Sequence, residues 1–306
     1  MLNLSFGLYN KSIFLSFVYF VYCITSIFGF GLFFKKYYRE HFYVPFYGLS
    51  ILITLGPLFF STITYNLLLY IIFPLGFLFA ASYYLLKIKS FLLNNLFFSF
   101  IICFYFFFAF YQFSHNYDDL AGYFPIIESF KNRIFTFEGF DVRNFYSYPS
   151  NFFVTSIFQQ NGNLYQAKFV DIFFGILLCL IFFNSYFKKN STIIKYKNFI
   201  LFFIPIYIFS ASTSITPHMI ATPFLFIVLY ELSIIKQKIS NKINIFNFFF
   251  FSGVCFVISF KFIPFIFFLL LFYFYFCLKK SLLFKCFYSY LPFFFYQFAR
   301  GLFIHI

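Results

Sequence analysis

The sequence predicts an all-α fold: a polytopic transmembrane helix bundle of about ten spans, with an outer-face loop bearing interfacial amphipathic helices. Three observations predict it. The chain is 63% hydrophobic over 306 residues, with a mean hydropathy of +0.88, more apolar surface than a soluble core of this length needs. Apolar runs of about 20 residues, the length that crosses a hydrocarbon layer, recur from end to end. Lys and Arg collect between those runs, dense and sparse by turns.

Other features of composition carry less. The 67 Phe and 27 Tyr, with no Trp, fit an AT-rich coding bias and imply no function. A formal net charge of +14 would point to nucleic acid in a soluble protein. In a membrane chain basic cytoplasmic loops account for it, and no nucleic-acid partner is expected. Cys23, Cys103, Cys179, Cys255, Cys277 and Cys286 lie in or beside apolar runs without CxxC or Cys/His spacing. They read as small hydrophobes rather than disulfides or metal ligands. The opening Met-Leu-Asn-Leu-Ser-Phe lacks a basic region and a cleavage site, so the first run is expected to stay in the membrane.

The runs place spans at 12–34, 44–62, 65–86, 91–113, 166–187, 198–214, 217–235, 245–262, 264–278 and 284–304. They form a single transmembrane domain over 1–306: a four-span group (1–113), an outer loop (114–165) and a six-span group (166–306). The stretch 245–278 would be roughly 51 Å long as one helix, too long for a hydrocarbon slab of about 30 Å. Lys261 and Pro264 interrupt it midway, which predicts two short helices joined by a tight turn.

Charge sets the expected orientation. Loops after odd-numbered spans hold Lys35, Lys36, Arg39, Lys87, Lys89, Lys188, Lys189, Lys195, Lys197, Lys236, Lys238, Lys242, Lys279, Lys280 and Lys285. The opposite side holds Lys11, Lys131, Arg133, Arg143, Lys168, Lys261 and Arg300 over a longer polar length. By the positive-inside rule the first set is cytoplasmic. Both termini and the long loop then face outward.

That loop is acidic. Five of the eight carboxylates, Asp118, Asp119, Glu128, Glu138 and Asp141, fall within 24 residues of one another. Apolar residues at 120, 123, 124, 127 and 130 have helical spacing and predict an amphipathic segment along the interface. Adjacent carboxylates at a helix start suit general-base catalysis or coordination of a divalent cation, although Asp118 equally suits a helix cap. No metal or other cofactor is required by the sequence. Lys261, flanked by apolar residues on both sides, either snorkels to the outer headgroups or holds a lipid-linked phosphate. Arg300 approaches the same face, and a phosphate needs more than one donor. Asp171 and Lys168 are spaced for an ion pair within one span. His218, after the hydroxyl-rich turn Thr213-Ser-Ile-Thr-Pro, has a plain structural reading at a helix start. Arg143 and Pro149 can line the acidic loop.

The order of these features resembles the C-type glycosyltransferase superfamily, most nearly a bacterial branch related to protein O-mannosyltransferases. The likeness is carried by Asn-Tyr-Asp-Asp-Leu-Ala-Gly-Tyr-Phe-Pro (116–125), Thr213 through His218, Gly253 through Lys261, and Ala299-Arg300-Gly301. The resemblance implies a membrane enzyme taking a sugar from a polyprenyl-phosphate donor at the outer face of the bacterial cytoplasmic membrane, with inversion. Asp118 or Asp119 would be the catalytic base. Lys261 and Arg300 would hold the carrier phosphate, with His218, Arg143 and Tyr123 beside the substrate. The implied partners are the polyprenyl-phosphate-linked sugar and membrane lipid; oligomeric state is not implied. The chain departs from the pattern in three ways. Four spans precede the acidic motif where many relatives have one, His218 stands in place of a carboxylate, and relatives continue beyond the position of Ile306.

A polysaccharide flippase, a small-solute transporter and a polysaccharide polymerase are the competing expectations. Transport needs an ionisable path inside the bundle, for which the sequence points to Asp171 and Lys261.

Overall fold

The computed structural model describes residues 13–38, 40–55, 67–94, 97, 100–105, 127, 150–158, 165–188, 196–209, 218–237, 242–258 and 262–279. Among them the fold is all-helical, with no strand. The helices are α1 (Ile13–Leu32), α2 (Tyr43–Leu55), α3 (Phe73–Asn94), α4 (Ser150–Phe158), α5 (Tyr165–Lys188), α6 (Lys197–Phe209), α7 (His218–Gln237), α8 (Lys242–Ile258) and α9 (Ile263–Lys279). Among the described residues no helix is long and apolar enough to cross a membrane. Side chains are described only over 18–32 of α1 and 172–187 of α5. The helical backbones themselves run 20 and 24 residues.

Local chemistry sets several boundaries. Helix α8 is described as far as Ile258 and α9 from Ile263, with Pro264 in the first turn of α9, where its missing N–H costs no hydrogen bond. Pro74, near the start of α3, has no N–H to return to the preceding turn. The chain just ahead of it, Leu68–Ile72, is wound as a π-turn. Lys87 and Lys89, expected to mark a loop, lie inside α3, which runs on to Asn94. Nothing in Leu-Lys-Ile-Lys-Ser breaks a helix, so the two lysines do not end the element.

Contacts fix the relative directions. Lys35, just past α1, stands over the Tyr83 ring of α3, and Phe33 stacks on Phe79, so α1 and α3 run parallel. Phe20 of α1 meets Phe173 of α5, while Phe42, ahead of α2, meets Phe182 farther along α5. Tyr186 of α5 lies against Tyr230 of α7, and Lys236 of α7 lies over Phe276 of α9. Helices α1, α3, α5, α7 and α9 thus point the same way. Residues adjoining each of the five lysine-bearing loops are gathered at one end of the bundle.

Helix α1 is packed against α2 and α3 through glycine. A Cβ on Gly31 would fall on the Val44 carbonyl, one on Gly48 on the Ile27 carbonyl, and one on Gly29 on the Gly76 carbonyl. Only hydrogen side chains let these backbones approach so closely, a mode common where apolar packing alone must hold helices together.

Helix α4 differs from the expected interfacial helices of the outer loop. Residues 153–157 are buried in succession, and the Tyr19 hydroxyl donates to the Ile157 carbonyl at 2.9 Å. It packs on α1, α2, α5 and α8, on the half of α1 remote from Lys35. A helix lying along an interface would keep one face exposed, and this one has no exposed face over those residues. The expected amphipathic segment at 120–131 lies outside the described residues except Ile127, which is helical and buried.

Candidate functional site

The polar core of the described structure sits at the lysine-bearing end, between α2, α7 and α8. Helix α7 enters this region through Leu229-Tyr-Glu-Leu-Ser, with a lone carboxylate, Glu231, in an apolar run. Helix α8 begins with two amides one turn apart, Asn244 and Asn247, on one face. Helix α2 begins with Tyr43 and Tyr47, again one turn apart. All five side chains are buried, and Glu231 is 0% exposed.

Their hydrogen bonds close around the carboxylate. Asn244 Nδ2 donates to Glu231 Oε2 at 2.8 Å, and Asn247 Nδ2 donates to Oε1 at 3.0 Å. The Tyr43 hydroxyl donates to the same Oε1, and the Tyr47 hydroxyl donates to Asn247 Oδ1. Tyr230 reaches outward and donates to Glu40, in the turn before α2, at 3.4 Å. The carboxylate therefore has three neutral donors. The charged group whose field reaches it is the acidic Glu40. A buried ionised carboxylate is ordinarily matched by a cation or by several donors, and here among the described residues donors alone do this.

Rings surround the cluster. Tyr47 lies between Phe34 and Phe250 at 4.9 and 5.2 Å, and Phe42 stacks on Tyr43 at 4.1 Å. These faces exclude water, which strengthens the enclosed hydrogen bonds and raises the cost of breaking any one of them. Tyr38 Oη and Ser252 Oγ are buried without a hydrogen-bond partner among the described residues.

Asp118, Asp119, Tyr123, Arg143, Lys261 and Arg300 lie outside the described residues. His218 is the first residue of α7, and its side chain is outside them too, as are those of Lys168 and Asp171 within α5. Cys23, Cys179 and Cys255 are buried and Cys103 is exposed, all as free thiols. Among the described residues no group of His, Cys, Asp or Glu is placed to hold a metal ion.

Sequence reasoning passed over Glu231. It was readable as a carboxylate inside an apolar run, which in a membrane helix is costly and so marks a partnered or functional group.

No known protein family, curated protein or solved structure matches this chain.

Proposed function

We propose that this chain is an integral membrane glycosyltransferase that moves a sugar from a polyprenyl-phosphate donor to an envelope lipid, glycan or protein at the outer face of a bacterial cytoplasmic membrane. The observation that carries the reading is the acidic segment His115–Pro125, the densest group of carboxylates in a chain with only eight. The membrane setting of this reading rests on the apolar runs of about 20 residues that recur along the sequence. Large apolar side chains stand exposed along α3 and α9, among them Leu75, Leu78, Phe267 and Phe268, as a lipid-facing surface requires. The parallel course of α1, α3, α5, α7 and α9 agrees with odd-numbered spans of one direction. Helix α4, which lies within the stretch 114–165 read as the outer loop, packs on the half of α1 remote from the lysines.

In this reading Asp119 or Asp118 removes the acceptor proton as the acceptor oxygen attacks the anomeric carbon. The carrier phosphate leaves with the bonding electron pair, and Lys261 and Arg300 stabilise its charge. Membranes carrying Asp118→Asn and Asp119→Asn are the test, with transfer from a polyprenyl-phosphate sugar measured against the parent chain. At least one substitution should cost about 100-fold or more, the scale of a general base. Full transfer by both would end the proposal.

The buried Glu231 favours a second reading, transport, because it supplies an ionisable group inside the bundle. Solute flux into vesicles in the absence of any lipid-linked sugar, abolished by Glu231→Gln, is the outcome that would select it.

A further inference from the structure

We propose that Glu231 is an exchangeable proton site, loaded from the lysine-bearing end of the bundle. The inference concerns only the occupant of this carboxylate and stands apart from both functional readings above.

Four features of the geometry lead to it. Glu231 is wholly buried, and the side chains that hydrogen-bond to it are neutral. A carboxylate in such surroundings has two states of comparable cost. Ionised, it bears a large desolvation penalty that its donors offset; protonated, it loses that penalty but must reverse one of its hydrogen bonds. The titratable and charged groups facing it are Tyr43 and Tyr47 from α2 and Glu40 from the turn before α2. Helix α8 contributes only the amides Asn244 and Asn247. Among the described residues no cation is in this set, and Glu40 adds a repulsive field.

The donor set also selects the ligand. A metal ion would need lone pairs, yet both amides present Nδ2 to the carboxylate and Asn247 Oδ1 already accepts from Tyr47. A proton needs none of these oxygens freed. When one arrives, Glu231 becomes a neutral carboxylic acid. If it settles on Oε1, the Tyr43 contact can reverse, the new O–H donating to the Tyr43 oxygen. The entry side is marked by Glu40, which is partly exposed and accepts from Tyr230, next to Glu231 in the chain.

Infrared difference spectroscopy of the full chain in lipid, between about pH 4 and about pH 9, tests the assignment. Expected is a protonated-carboxyl stretch that grows on acidification, shifts in heavy water and disappears in Glu231→Gln. The band should persist in Glu40→Gln. In Tyr43→Phe, which deletes one hydroxyl and keeps the ring, it should move to higher frequency because the carboxyl group loses a hydrogen-bond partner. A band unchanged in Glu231→Gln, or unshifted in Tyr43→Phe, overturns the proposal. So does a parent chain that shows no such band over this range. Loss of the band on adding sodium chloride but not choline chloride, at fixed pH, would overturn it in favour of a metal cation.

Discussion

Helix α2 is held differently on its two sides. Toward α1 it offers Gly48 and the Val44 carbonyl, and the two backbones meet with no side chain between them. Toward α7 and α8 it offers Tyr43 and Tyr47, which bind Glu231 and Asn247. Close backbone packing and interhelical hydrogen bonds are two distinct ways of holding helices together. This molecule uses both, on two faces about 100° apart around one helix of 13 residues. The glycine side is tolerant of environment and intolerant of volume. The polar side is tolerant of small volume changes and intolerant of a lost partner.

The largest expected effect lies on the glycine side. Gly48→Leu puts a side chain where the Ile27 carbonyl lies, and Gly31→Leu does the same at Val44. Overpacking ordinarily costs about 1–3 kcal/mol and more when the obstacle cannot move. Backbone carbonyls of packed helices cannot turn aside as a side-chain tip would. Both variants should lose monodisperse protein in detergent gel filtration. Recovery of a parent-like elution profile and melting curve would show that the close approach is not required.

The polar side comes next. Glu231→Ala removes the shared acceptor and leaves the Tyr43, Asn244 and Asn247 donors facing a void. An orphaned buried polar group costs about 1–3 kcal/mol. Asparagines that can reorient will recover part of this. Destabilisation of about 3 kcal/mol is expected by denaturant unfolding in micelles. Glu231→Gln keeps one acceptor oxygen and the side-chain volume, and should cost about 1–2 kcal/mol. Negligible loss in Glu231→Gln beside a full loss in Glu231→Ala would mean that side-chain volume, not the paired acceptor oxygens, is what α7 contributes.

These two sides were unequally visible beforehand. The apolar runs and the lysines between them located α1, α5, α7 and α9 to within a few residues, because helix length and charge placement are local properties of chain and solvent. Pro264 likewise announced the start of α9 through its own covalent geometry. The polar cluster depends on pairs 188 and 200 residues apart, Tyr43 with Glu231 and Tyr47 with Asn247. No periodicity encodes such a pairing. Helix α4 escaped for a related reason: nine residues with Ser150, Thr155 and Ser156 carry no span-length signal. Their burial exists only because α1, α2, α5 and α8 leave room for them. The acidic segment stands out in sequence, and its residues lie outside the described structure.

Additivity sharpens the comparison at smaller scale. Tyr47→Phe removes one hydroxyl from Asn247 and keeps the ring stacked between Phe34 and Phe250. Interhelical hydrogen bonds of this kind average about 0.6 kcal/mol in membrane proteins, and a loss of that size is expected. Because Asn247 also donates to Glu231, freeing its Oδ1 loosens the amide that steadies the carboxylate. Tyr47→Phe combined with Glu231→Gln should therefore depart from the sum of the single losses by about 0.5 kcal/mol or more, as contacting residues in one network do. Tyr47→Phe combined with the smaller glycine substitution Gly31→Ala, whose Cβ meets the Val44 carbonyl of α2 and shares no partner with Tyr47, should add within about 0.5 kcal/mol. If the glycine pair coupled as strongly as the glutamate pair, the two sides of α2 would be one cooperative unit. The independence of backbone packing from the polar cluster would then be lost.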